Sequence, residues 1–172
     1  MKLHLGCGKR HLEDWVNIDA RADVGADLVA DITNLAAFED GSVQIIYACH
    51  VLEHIPRPQV AGVLAVWRKM LVPGGILRLA VPDFDAVARL YLNHVPMQRL
   101  AGLLHGRQNA AWNTHYAVYD WHLLCHLLSE AGFYGMRRWY PNEVHPAGYD
   151  DYSFAEIDGV CVSLNVEALR GG

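Results

Sequence analysis

The sequence predicts an α/β fold built on a doubly wound, mostly parallel sheet of seven strands. The first five predicted strands are short and almost continuously apolar, which is typical of parallel strands covered by helices on both faces. An amphipathic segment lies between the fourth and fifth strands, as a β-α-β crossover requires. Glycines or carboxylates follow several strands, at the edge where open α/β sheets bind their ligands.

Five strands are predicted in the first half of the chain, each an apolar run bounded by polar residues or glycine. Only ten residues separate Leu5 from Val16, so the first connecting helix must be a single turn or absent. Two later strands, near residues 135–140 and 160–166, complete the seven. The first five strands span residues 1–5, 16–19, 27–31, 43–48 and 75–81.

Two helices have clear sequence signals. Pro58 lies near the start of the first helix, and Pro73-Gly74-Gly75 is predicted to end it. A later helix over residues 120–131 is capped by Asp120 and ended by Gly132, with Trp121, Leu124, Cys125 and Leu128 on its buried face. The first helix has its apolar residues at helical spacing, at Val60, Val63, Leu64, Trp67 and Leu71.

Residues 83–119 are predicted to form an insertion on the substrate side of the sheet, because they follow strand five at its carboxyl end. We expect helices over residues 83–93 and 96–105. An ordered loop is expected over residues 106–116.

Length and composition indicate one domain over residues 1–172. A chain of this size buries roughly 70% of its unfolded surface. A content of 52% hydrophobic and 19% charged residues excludes intrinsic disorder. The formal net charge of −5 and the scattered Lys and Arg residues argue against a nucleic-acid partner.

Several features predict a cytoplasmic protein. The apolar runs are too short to span a bilayer, and the N-terminus does not resemble a signal peptide. Cys7, Cys49, Cys125 and Cys161 are widely spaced, which favours free thiols in a reducing compartment. The sequence leaves the oligomeric state open, a homo-oligomer included.

Five motifs in this order resemble class I S-adenosylmethionine-dependent methyltransferases, in particular the compact bacterial type 11 group. The resemblance is close over about residues 3–82 and looser over the last strands. It implies a Rossmann-like methyltransferase sheet and S-adenosyl-L-methionine as the cofactor. The motifs are Leu5-Gly6-Cys7-Gly8, Asn17-Ile18-Asp19, Asp31-Ile32, His50-Val51-Leu52-Glu53-His54 and the segment from Leu71 to Leu77.

The resemblance assigns roles at the cofactor. The glycines would let backbone amides approach its methionine part, and Asp19 would accept hydrogen bonds from both ribose hydroxyls. Asp31 and Ile32 would contact the adenine, and Cys49 and His50 would line the sulfonium end. An alternative for either aspartate is that it merely caps a turn. The implied cofactor residues are Leu5, Gly6, Cys7, Gly8, Asp19, Ala20, Asp31, Ile32, Cys49 and His50.

Two positions depart from the family pattern. His4 stands where the family often has an acidic residue, and Arg10 stands at the usual third glycine. The second departure agrees with a shortened first helix.

The segment from His50 to His54 also fits the H-x-x-E-H zinc motif of inverted metallopeptidases. That chemistry needs an intact helix, whereas here a strand runs directly into His50 and Pro56 disfavours helix at Ile55. We therefore expect no peptidase and no metal. Instead, His50 and His54 are candidate catalytic residues, because a neutral imidazole can remove a hydroxyl proton. The alternative is that Glu53 and His54 only orient the loop.

The acceptor is expected to lie against the insertion, where His115, Tyr116 and Asp83 are candidate substrate-binding residues. Asp83 has an alternative role as the N-cap of the next helix. His122 and His126 are interpreted as surface or core residues rather than metal ligands, and Trp112 and Trp121 as packing residues.

The predicted function is S-adenosylmethionine-dependent methyl transfer to a small-molecule or saccharide hydroxyl, as in surface polysaccharide biosynthesis. The alternative is a non-catalytic module that keeps the fold and binds the cofactor or a partner. Nicotinamide-dependent reduction is disfavoured, because Gly6 and Gly8 lack the third spaced glycine and its long helix.

Overall fold

The computed structural model describes residues 1–35, 38–110 and 112–172. Seven strands form one sheet in the order β3-β2-β1-β4-β5-β9-β6, and β7 and β8 form a separate hairpin. Neighbours from β3 to β5 pair in parallel, whereas β9 is antiparallel to both β5 and β6. This confirms the predicted doubly wound sheet. The strands are β1 Lys2–Leu5, β2 Val16–Asp19, β3 Leu28–Val29, β4 Val43–Cys49, β5 Leu71–Pro82, β6 Phe133–Arg138, β7 Glu156–Ile157, β8 Val160–Cys161 and β9 Ser163–Arg170.

The helices lie close to their predicted positions. They are α1 Arg57–Met70, α2 Phe84–Leu92, α3 Met97–His105, α4 Trp121–Glu130 and the short α5 Pro141–Val144. Three 3-10 turns cover Ala22–Val24, Leu52–His54 and Tyr152–Phe154. None of the helices in the described part of the chain is long and apolar enough to cross a membrane.

Three element boundaries differ from the prediction. The third strand has two residues rather than five, because Asp27 binds Asn17 and Asp31 closes a turn with Thr33 instead of pairing. The fifth strand begins at Leu71, directly after α1, so Pro73-Gly74-Gly75 is an irregular part of the strand. The expected strand over residues 160–166 is split, because Val160–Cys161 turns back onto β7 before β9 begins.

One face of the sheet packs against α1, which buries Val60, Val63, Leu64, Trp67 and Met70. The opposite face has no helix between β1 and β2, as the short connection predicts. There the chain between β6 and β9 takes the place of a helix. Tyr47 of β4 contacts two aromatic rings of this segment, those of Trp139 and His145, and Tyr149 packs against the same cluster. Arg10 in the loop after β1 donates to the Asp150 carbonyl oxygen at 2.7 Å and fastens this cover.

Candidate active site

The glycine turn after β1 brings two parts of the site together. Gly6 and Gly8 have φ values of +64° and +53°, which favour glycine. A Cβ on Gly6 would lie 2.4 Å from Val51 Cγ2, so this glycine is needed where the turn packs against the loop after β4. The amide of Gly8 donates to Asp19 Oδ2 at 2.8 Å. The turn and the β2 carboxylate therefore converge, as the sequence predicts.

Asp19 is buried and already well supplied with donors. Its Oδ1 accepts from the Arg21 amide at 2.9 Å and from Arg21 Nε at 3.2 Å. The Arg21 guanidinium also stacks over the ring of Trp112, 4.5 Å from its centroid. A carboxylate offers about four acceptor positions, so three are occupied by the protein itself. If the ribose hydroxyls bind at Asp19, as the resemblance predicts, Arg21 must first release Asp19 Oδ1.

The predicted adenine residues lie beside Asp19, whose carbonyl oxygen accepts from the Ala30 amide at 3.1 Å. The Asp31 carboxylate accepts from the Thr33 amide and hydroxyl at 2.8 and 2.7 Å, which is the turn-capping alternative. The Ile32 carbonyl oxygen accepts from Trp67 Nε1 at 2.9 Å. Their contact with a cofactor stays a prediction.

His50 follows Cys49 at the carboxyl end of β4 in a left-handed conformation, with φ of +51°. Asn165 donates through Nδ2 to the Ser153 carbonyl oxygen, which fixes the orientation of its amide. The Ser163 hydroxyl then donates to Asn165 Oδ1 at 2.8 Å, and Ser163 Oγ lies 3.2 Å from His50 Nε2. His50 Nε2 must therefore carry the hydrogen. Burial lowers the pKa of His50 to about 3, so the ring is neutral and Nδ1 holds a lone pair.

Glu53 is fully buried, and neither of its carboxyl oxygens has a hydrogen-bond partner among the residues that the structure describes. His50 Nδ1 lies 3.4 Å from Glu53 Oε1, but the pair does not meet hydrogen-bond geometry. Burial raises the pKa of Glu53 to about 8. Glu53 is therefore a buried polar group whose hydrogen-bonding capacity is unused, in the wall of the site. The sequence favours only a structural role for it, in orienting the loop.

The insertion brings His115 to His54, with ring centroids 4.7 Å apart. His54 Nδ1 lies 3.0 Å from the Thr114 carbonyl oxygen, and the Tyr116 amide donates to the Glu53 carbonyl oxygen at 2.8 Å. Burial lowers the pKa of both histidines. The structure thus brings His50, His54 and His115 together around Glu53, although they come from two distant segments.

Other predicted residues lie apart from this cluster or serve different contacts. Asp83 accepts from the Asp85 amide at 3.0 Å as the N-cap of α2, and burial raises its pKa. The Tyr116 side chain is 52% exposed. Trp112 is 55% exposed, so its interpretation as a packing residue is wrong; its ring instead supports Arg21. His122 and His126 are exposed on α4.

Sequence reasoning missed a buried network at the end of β4. The Tyr47 hydroxyl donates to Asp151 Oδ2 at 2.6 Å, and His145 Nε2 lies 3.2 Å from the same hydroxyl. Asp151 is 104 positions from Tyr47, so no local spacing indicates the contact.

The sequence model of a family described as "Methyltransferase domain" matches residues 3–136. The chain belongs to this family. The recognition of a class I methyltransferase is therefore confirmed, and S-adenosylmethionine is its methyl donor. A comparison with functionally curated proteins finds no match.

Solved methyltransferase structures have the same fold at low sequence identity. The CurJ carbon methyltransferase is 15% identical with a TM-score of 0.67, covering 99% of this chain and 48% of its own. A Haloferax volcanii methyltransferase, solved with the Trm112 activator, is 12% identical with a TM-score of 0.62, covering 99% and 82%. The 1,6-didemethyltoxoflavin-N1-methyltransferase of Burkholderia thailandensis, with bound S-adenosylhomocysteine, is 16% identical with a TM-score of 0.60, covering 99% and 71%.

The residues at the ends of β1 and β2 fit the ribose of this cofactor. Asp19 provides acceptor oxygens at the carboxyl edge, and the nearest atom to a Cβ built on Gly8 would be Arg21 Nη2 at 3.5 Å, the end of a flexible side chain that can move aside. Gly6 and Cys7 belong to the turn after β1, and Ala20 directly follows Asp19.

Proposed function

We propose that this methyltransferase transfers its methyl group to a hydroxyl of a small-molecule or saccharide acceptor in the cytoplasm. The observation that carries the proposal is the histidine cluster at the carboxyl ends of the strands, on the same sheet edge as Asp19. The four cysteines are free, which agrees with a reducing compartment.

Bound S-adenosylmethionine supplies an electrophilic methyl group that is displaced in line from its sulfur. The task of the protein is to hold the acceptor oxygen close to that carbon and to receive the hydroxyl proton. His54 suits the second task, because its Nδ1 faces a carbonyl oxygen and burial keeps the ring neutral. Its Nε2 is then free to accept the proton. His50, beside Glu53, supports the same wall of the site.

A surface cavity of about 390 Å³ adjoins the cluster and suits a small acceptor. Its wall combines polar and apolar side chains, as sugar and small-molecule sites do. Two of the similar structures are described as enzymes that methylate different atoms, one a carbon methyltransferase and the other an N1-methyltransferase. The hydroxyl acceptor therefore rests on the histidines and not on the fold. The cavity is lined by Arg57, Leu104, His105, His115, Tyr116, Ala117, Val118 and Leu123.

The second candidate function is a non-catalytic module that serves a partner. The observation in its favour is Arg21, which occupies Asp19 where the ribose is expected. A homo-oligomer or an activator protein would be such a partner; the Haloferax volcanii structure is a complex of that kind.

Calorimetric titration with S-adenosylmethionine, and separately with NADH, tests the cofactor, and we expect binding of the first only. Release of S-adenosylhomocysteine with a panel of sugars and small alcohols then tests catalysis. His54→Ala should lower turnover by about 100-fold, within the range for loss of a general base, and leave cofactor affinity unchanged. No S-adenosylmethionine binding would refute the enzyme, whereas binding without turnover on any acceptor would favour the module.

A further inference from the structure

We propose that Glu53, His54 and His115 form a binding site for one divalent transition-metal ion. One ligand atom of each residue lies within 4.8 Å of the other two, so a small inward movement of these side chains would let a single ion contact all three. Glu53 and His54 belong to the turn after β4, whereas His115 comes from the insertion. The site is distinct from the peptidase motif considered above, because its second histidine is His115 and not His50.

The hydrogen bonds of the two histidines determine which nitrogen faces the site. His54 Nδ1 lies 3.0 Å from the Thr114 carbonyl oxygen, and His115 Nδ1 lies 3.0 Å from the Leu103 carbonyl oxygen. A carbonyl oxygen only accepts, so each Nδ1 must carry the hydrogen. Each Nε2 then holds a lone pair that can bind a metal ion. Histidines that bind metals almost always donate their other N–H in this way.

Glu53 is the observation that indicates a missing ligand. Its side chain is completely buried, and within residues 1–35, 38–110 and 112–172 both oxygens lack a hydrogen-bond partner. The nearest nitrogen, His50 Nδ1 at 3.4 Å, is also a lone pair, because His50 Nε2 donates to Ser163. Electron pairs of a carboxylate and of imidazoles therefore face one another with no hydrogen between them. Such an arrangement is stable only with a shared proton or a cation.

A cation satisfies this arrangement better than a proton. A single proton on Glu53 can join one carboxyl oxygen to one nitrogen, which leaves the other imidazole nitrogens unsatisfied. A divalent ion can be bound by all three residues at once. The hydrogen bond from the Tyr116 amide to the Glu53 carbonyl oxygen already holds the insertion, and with it His115, against the turn.

The ligand set indicates the class of metal. Two imidazoles and one carboxylate suit Zn²⁺, and also Fe²⁺, Co²⁺ or Mn²⁺, better than Ca²⁺, which prefers oxygen ligands. Three protein ligands leave at least one coordination position open. The ion would replace our expectation that the chain binds no metal. The site stands on these contacts alone. Because His54 Nε2 cannot bind the ion and accept a hydroxyl proton at the same time, His54 would serve as the base only in the metal-free protein.

Metal-depleted protein should bind one equivalent of Zn²⁺ in a calorimetric titration, and Co²⁺ should give visible absorption bands. His115→Ala, His54→Ala and Glu53→Gln should each weaken binding by on the order of 100-fold, because even the loss of a hydrogen bond to a ligand costs 10- to 100-fold. His122→Ala and His126→Ala are matched controls, since both residues are exposed on α4. These two variants should bind the metal like the unmodified protein.

Three results would overturn the site: no stoichiometric binding, binding that His115→Ala leaves unchanged, or binding that the control variants abolish. His115 is only partly buried, so its variant carries the test if the Glu53 variant does not fold. Titration with S-adenosylmethionine is run on the same samples. Metal binding without cofactor binding would refute the proposed function alone, and the reverse would refute the metal site alone.

Discussion

Asp19 and Glu53 are both buried carboxyl groups at the same edge of the sheet, yet their surroundings differ. Asp19 accepts hydrogen bonds from the Gly8 amide and from two donors of Arg21. Glu53 accepts no hydrogen bond from the described part of the chain, and the nearest side-chain nitrogen, on His50, presents a lone pair. We call the surroundings of Asp19 the proposed cofactor half of the site and those of Glu53 the proposed acceptor half. Among the described residues, the protein itself provides hydrogen-bond donors to the carboxylate of the first half and none to that of the second.

This difference follows from the cost of burying a polar group without a partner, roughly 1–3 kcal/mol from protein mutational data and more for a charge. On the cofactor side, a ligand must displace contacts that already exist. On the acceptor side, a proton or a cation must complete contacts that are missing. The two halves meet where Gly6 packs against Val51, so their coupling can be tested directly.

Gly6→Ala should give the largest loss of stability, because the added methyl group would push the turn after β1 away from the loop after β4. A Cβ would lie 2.4 Å from Val51 Cγ2, and φ is +64°. Left-handed strain of 1–2 kcal/mol and overpacking of a similar size predict that the free energy of unfolding falls by about 3 kcal/mol. Urea denaturation measures the change.

Gly8→Ala is the control for this experiment. Its φ is +53°, but its Cβ would lie 3.5 Å from Arg21 Nη2, which is ordinary contact. It should therefore cost only the backbone strain. Equal losses for the two variants would show that the contact with Val51 does not matter.

His4, on β1, makes the free energy of unfolding of the protein depend on pH. Its ring is buried beside Asn17, and burial lowers its pKa from 6.5 to about 4, although Asp151 opposes the shift and His145 adds to it. Between these values the unfolded chain binds a proton that the native ring does not. The free energy of unfolding should therefore fall as pH decreases from 6.5 to 4, by about 3 kcal/mol in total.

Urea denaturation across this range measures the slope. His4→Asn keeps a donor for Asn17 and removes the titration, so its slope should be shallower than that of the unmodified protein. Other buried histidines contribute equally to both proteins. Parallel slopes would mean that His4 is not the group responsible.

Asp19→Ala tests the cofactor carboxylate itself. Removing an acceptor of two charge-assisted hydrogen bonds should weaken S-adenosylmethionine affinity by more than about tenfold. Asp31→Ala is the comparison, because the Asp31 carboxylate already accepts from Thr33, and it should have a smaller effect. Calorimetric titration measures both. Unchanged affinity in Asp19→Ala would mean that the ribose lies elsewhere.

Arg21→Ala should give the smallest effect, with the opposite sign. If the guanidinium must leave Asp19 before the ribose binds, its removal should tighten cofactor affinity by about two- to fivefold, since a partly exposed ion pair contributes about 0.2–1 kcal/mol. Arg89→Ala on α2 is the control, because Arg89 is exposed and its Nε donates within its own helix to the Asp85 carbonyl oxygen. Weaker binding in Arg21→Ala would show instead that Arg21 holds the cofactor.

Local sequence signals located most of the fold. Asp83 and Asp120 cap α2 and α4 as predicted, because their side chains accept from amides two and three residues ahead. The apolar periodicity of α1 places its predicted stripe against the sheet. The length of the third strand was overestimated. Its flanking carboxylates, Asp27 and Asp31, accept from the amides of Asn17 and Thr33, and the residues around them do not pair as a strand.

The sequence by itself indicated the strands of the parallel sheet, the glycine turn and the acid at the end of β2, since apolar runs and the residues that directly follow them are local signals. Tertiary structure alone decided that His115 faces His54 and that Asp151 binds Tyr47, across 61 and 104 positions. Pattern and propensity act over one or two turns of chain. Whether a buried carboxylate such as Glu53 has a partner depends on which distant segments fold against it.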